Sequence, residues 1–65
     1  MVNIYTIGGA ILGVKLRYDV LLQIMRDNVI KSNDFIEFEF EDGIKGAVRK
    51  RHIITFCECT EEIEV

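Results

Sequence analysis

The chain has 65 residues, 49% of them hydrophobic and 29% charged, with a formal net charge of −3. That length admits one domain, and the hydrophobic share excludes a disordered chain. The acidic balance argues against broad binding to duplex nucleic acid, which rests on neutralising many phosphates, and no apolar run approaches the length of a membrane span.

Two apolar runs, Val2–Ile7 and Ile11–Leu16, flank Gly8-Gly9-Ala10. A three-residue loop at that site predicts a β-hairpin with Ile4 opposite Val14, Val2 opposite Leu16 and Thr6 opposite Leu12. The other face then carries Asn3, Tyr5, Ile7, Ile11, Gly13 and Lys15. It is half apolar, which a sheet face meant for water does not need, and it is a candidate contact surface.

The spacing next predicts a helix from Tyr18 to about Asn28. Propensity is good, no Pro or Gly interrupts it, and Asp19 suits the positive end of the dipole. Tyr18, Leu21, Leu22, Met25 and Val29 form one stripe, with Val20 and Ile24 extending it sideways. That arc is wider than one sheet face covers, so Val20 and Ile24 are expected at an edge.

The most legible stretch is Phe35–Arg49. Ile36, Phe38 and Phe40 alternate with Glu37, Glu39 and Glu41, the period of a strand with one buried face, and Asp42-Gly43 marks a turn. A two-residue loop would mix apolar and charged partners on both faces. A three-residue loop, Glu41-Asp42-Gly43 with Gly43 left-handed, pairs Phe40 with Ile44, Phe38 with Gly46, Ile36 with Val48, Glu39 with Lys45 and Glu37 with Ala47. It is the register predicted here.

Lys50-Arg51-His52 lacks the residues that favour a tight hairpin, so a short irregular or 3₁₀ corner is expected before a strand at Ile54–Glu58. Two phases are open for that strand: Ile54 and Phe56 inward, or Ile53, Thr55 and Cys57 inward. Residues 58–65 form an acidic tail with four Glu that is expected to fray. The fold class expected is α+β, in the order ββαβββ: one small antiparallel sheet packed on one helix, spanning residues 1–65 as a single domain.

The start of the chain lacks the pattern of a signal peptide, so a cytoplasmic protein is expected, with its two cysteines reduced. A chain this short rarely buries enough surface in one core without a disulfide, a metal or a partner subunit. Self-association as a homodimer or higher oligomer is therefore expected, through Tyr5, Ile7, Ile11, Val20 and Ile24. The ten isoleucines and the absence of Pro and Trp match small bacterial or phage proteins of AT-rich genomes.

Few residues carry chemistry. Lys45, Arg49, Lys50, Arg51 and His52 form the one basic cluster and are the candidates for holding a small anion such as a nucleotide at a subunit boundary; neutralisation within the sheet is the plainer explanation. Cys57 and Cys59 share a strand face, but a structural zinc site needs four ligands, and no metal or cofactor is expected. Gly8, Gly9 and Gly13 match neither phosphate-loop signature. The carboxylate row of Glu37, Glu39 and Glu41 is the usual solvated face of an amphipathic strand. One His, one Ser and no paired nucleophile and base leave no catalytic arrangement. The function expected is a non-enzymatic interaction module, a regulator or inhibitor of a larger protein from the host in the phage case. A binder of a small anionic ligand is the alternative.

Overall fold

The computed structural model describes residues 1–59. Five strands, one helix and a 3₁₀ turn follow in the order β1 (Val2–Thr6), β2 (Gly9–Val14), α1 (Tyr18–Arg26), β3 (Phe35–Glu39), β4 (Lys45–Arg49), the 3₁₀ turn Lys50–His52 and β5 (Ile53–Glu58). The order and the antiparallel α+β class are as the sequence predicts. The single sheet is not. A three-stranded sheet, β2-β1-β5, stands beside a two-stranded sheet, β3-β4. An isolated bridge, Val14 to Phe40, and a 2.8 Å hydrogen bond from the Lys15 N–H to the Glu39 carbonyl join them. The last strand thus returns to β1 instead of continuing the second hairpin.

The inner faces of both sheets meet in a core of Val2, Ile4, Val14, Ile36, Phe38 and Val48, to which α1 adds the fully buried Leu21. Phe38 and Phe40 pack edge to face with centroids 5.4 Å apart, and the Tyr18 ring lies 5.4 Å from Phe56, tying the helix to β5.

The β3-β4 hairpin adopts the predicted register residue for residue, from Phe35 opposite Arg49 to Glu39 opposite Lys45. The Phe40 N–H donates to the Ile44 carbonyl at 2.8 Å, and Gly43, at φ 90°, takes the left-handed position. The Asp42 carboxylate accepts the Ile44 N–H at 3.1 Å and fixes the turn.

The first hairpin differs from expectation. Its turn is Ile7-Gly8, not Gly8–Ala10, so Thr6 pairs with Gly9, Tyr5 with Ala10 and Ile4 with Ile11. The Thr6 hydroxyl holds it, donating to the Gly9 carbonyl at 2.8 Å and accepting the Gly8 N–H at 3.1 Å. A bulge then sets Leu12 and Gly13 against Asn3 and restores Val2 opposite Val14. Gly13 sits at φ 70°, and its N–H donates to the Asn3 side-chain carbonyl at 2.9 Å. The extra residue lets Ile11 and Val14, three apart, both face the core. Ile11 therefore leaves the expected contact face and packs inward.

A second bulge decides the phase of β5. Ile4 pairs with Phe56 and Tyr5 with Thr55, but Thr6 meets Ile53. Ile53 and Phe56 both pack on the core while Ile54 is 66% exposed. The strand takes one inward residue from each of the two anticipated phases, because the bulge at Ile54 breaks strict alternation.

The helix ends at Arg26, two residues early. The Asp27 carboxylate accepts the Val29 N–H at 2.9 Å, a local turn that competes with helix continuation. Val29, placed on the inward stripe by its spacing, is consequently exposed, whereas Ile24 and Met25 pack against the core. Of the acidic tail only Glu58 and Cys59 lie within the described residues, and the Cys59 N–H donates to the Met1 carbonyl at 2.7 Å. Among the described residues no helix is long and apolar enough to cross a membrane.

Candidate functional site

Two surfaces follow from this architecture, the basic corner and the outward face of the three-stranded sheet. At the corner, β4 ends at Arg49 and the 3₁₀ turn carries Lys50, Arg51 and His52. The Lys50 side chain does not reach into solvent. Its ammonium donates to the carbonyls of Asp27, at 2.8 Å, and Ile30, at 2.6 Å, so it closes the end of the helix and the loop after it. Backbone bonds continue the strap: the Lys50 N–H donates to the Asp34 carbonyl at 3.0 Å and the Arg51 N–H to the Ser32 carbonyl at 2.9 Å.

Arg49 is also engaged. Its guanidinium lies 4.7 Å from the Phe35 ring centroid and donates to the Asn33 carbonyl at 3.3 Å. The His52 carbonyl accepts the Ile7 N–H at 3.1 Å, bringing the first turn against the corner. Arg51 is left exposed. Lys45 stands at the opposite end of β4, about 13 Å from Arg49 at strand rise. It borders a different open groove, of about 670 Å³, floored by Phe38 and Gly46 and rimmed by Glu37, Glu39 and Lys15. The five basic residues are therefore not one convergent patch. What the corner does chemically is brace the loop between α1 and β3.

The outward face of β2-β1-β5 follows from the register. Val2 and Ile4 are buried, so Asn3 and Tyr5 point away from the core. Cys57 and Thr55 are their neighbours on β5, and Ala10 is the neighbour of Tyr5 on β2. Leu12, 59% exposed in the bulge, completes a patch of uncharged side chains that ends at the exposed Lys15, just beyond β2. Ile7, in the turn, and Ile54, in the second bulge, stand at its rim and are both more than 60% exposed. In a chain with 29% charged residues, that composition sets this face apart.

The residues expected to form a contact surface are thus distributed. Tyr5 and Ile7 belong to the uncharged face, Val20 is exposed on the helix, and Ile11 and Ile24 pack against the core. Ala10, Leu12, Thr55 and Ile54 carry no local signal in the sequence, because their place depends on the Ile7-Gly8 turn, on the two bulges and on β5 lying beside β1. The two thiols of Cys57 and Cys59 are free, and among the described residues no three His, Cys, Asp or Glu side chains gather as metal ligands. Comparison with protein-family models, curated proteins and solved structures finds no match to this chain.

Proposed function

We propose that the chain is a non-enzymatic interaction module, a small regulator or inhibitor that engages a larger protein through the outward face of its three-stranded sheet. The observation that supports this reading is the uncharged surface of Asn3, Tyr5, Ala10, Leu12, Thr55 and Cys57, rimmed by Ile7 and Ile54. A solvated sheet face ordinarily alternates charged residues against the core, as Glu37 and Glu39 do on β3. An aromatic centre with small and aliphatic neighbours suits a partner surface of similar character, since interface cores are depleted of charge and enriched in Tyr.

The test is capture by the immobilised full chain from cells of its source, with Leu12→Glu and Ala10→Glu as face variants and Ala47→Glu, exposed on β4, as control. A partner held by the wild type and the control, and lost by folded face variants, supports the reading. Retention of the same proteins by all four chains refutes it.

A further inference from the structure

The outer edge of β5 has no strand beside it among the described residues, since the sheet order is β2-β1-β5. The Cys59 N–H donates to Met1, and pairing is regular from Glu58 opposite Val2 to Thr55 opposite Tyr5. Thr55, Cys57 and Cys59 therefore aim their backbone groups at β1, while Phe56 and Glu58 aim theirs outward. Edges of this kind are normally blunted by lysine, proline or an inward charge. The outer strand of the other sheet, β4, has Lys45 and Arg49 at its ends. Along β5 the side chains of Ile53, Ile54, Thr55, Phe56 and Cys57 are uncharged; the one charge, Glu58 opposite the buried Val2, stands at the very end of the strand, and a bulge interrupts it at only one point.

We infer that this edge pairs with the same edge of a second copy, antiparallel about Phe56, joining two three-stranded sheets into one of six. Charge complementarity favours a second copy as the occupant. The strand runs from a basic turn, with Arg51 exposed, to an acidic end at Glu58, also exposed, and neither side chain has an ion-pair partner among the described residues. Antiparallel pairing sets Glu58 of each copy opposite Ile54 of the other and directs it toward the basic turn that carries Arg51, and the two-fold axis makes that approach twice. The same pairing covers Ile54 and satisfies the N–H and C=O groups of Phe56 and Glu58. This goes beyond the interaction reading above. It uses an edge where that reading uses a face, so either can fail alone.

The experiment measures the mass of the full chain in reducing buffer from low micromolar to near-millimolar concentration, together with amide exchange. The mass is expected to rise from one chain to two, with the Phe56 and Glu58 amides gaining protection as it does. Ile54→Lys, at an exposed position, should leave a folded monomer. Glu58→Lys and Arg51→Glu should each weaken pairing about tenfold, and the double variant should regain it. A single-chain mass throughout overturns the inference. So does a dimer that survives Ile54→Lys while the Phe56 and Glu58 amides exchange freely, or a double variant no tighter than either single one.

Discussion

Replacing Lys50 with Met keeps the apolar stem and removes the ammonium that bonds the Asp27 and Ile30 carbonyls at 2.8 and 2.6 Å. A hydrogen bond from a charged donor contributes about 1.5–3 kcal/mol net. Both carbonyls are part-buried and regain some hydration in the variant, so the two bonds together should be worth about 2–3 kcal/mol. A domain of this length has roughly 3–10 kcal/mol in total, so the loss is a large share. It corresponds to a fall in Tm of roughly 10–20 °C. Urea titration followed by far-UV circular dichroism measures it, and amide exchange locates it. The Lys50 and Arg51 N–H groups, bonded to Asp34 and Ser32, should exchange faster than those of β1. A stability change below about 0.5 kcal/mol, with both amides still protected, would show that the ammonium does not hold this loop in place.

Three further outcomes are expected. Gly46→Ala places a Cβ 2.8 Å from Cε1 and 2.9 Å from Cζ of the buried Phe38 ring, so it should destabilise by about 1–3 kcal/mol in thermal melts, with Phe38→Leu in the same chain recovering part of the loss. Leu21→Ala empties the one fully buried helix position and should cost about 2–5 kcal/mol by denaturant titration, close to the whole stability. Arg17→Ala breaks the 2.8 Å pair with Asp19, whose side chains are 77% and 65% exposed, and should change the melting midpoint hardly at all; a large drop would mean that this pair governs the start of the helix.

How far the fold can be read from sequence depends on where strands are regular. In Phe35–Arg49 the alternation is unbroken and Asp42-Gly43 marks the turn, so register and faces follow from side-chain type alone. In the first hairpin and in β5, bulges put Ile11 with Val14, and Ile53 with Phe56, on one side at a spacing of three. A period-two test rejects that spacing in a strand: it keeps Val14 inward but sends Ile11 outward, and neither phase of β5 takes both Ile53 and Phe56 inward. The Ile7-Gly8 turn is hidden for a different reason. Its signal is the Thr6 hydroxyl, while an apolar Ile stands where a polar turn residue is expected. The composition of Lys50-Arg51-His52 does reveal a 3₁₀ corner. The Lys50 bonds to residues 20 and 23 positions earlier are tertiary, and nothing local in the sequence encodes them. The uncharged face was visible in part through Tyr5 and Ile7. Its extension over Thr55 and Cys57 waits on knowing that β5 neighbours β1.

That neighbourhood shapes how the protein is made. β1 is bordered on one side by the strand that follows it directly and on the other by β5, so its second border can close only once residue 58 has emerged from the ribosome. The Phe35–Arg49 hairpin, by contrast, needs only local chain and a five-residue register. Synthesis should therefore yield a preformed second hairpin attached to an unfinished first sheet, with final closure acting as the slow and cooperative step. Nascent chains arrested before Ile53 should be cut by protease at β1 and β2, while chains released after Glu58 should resist.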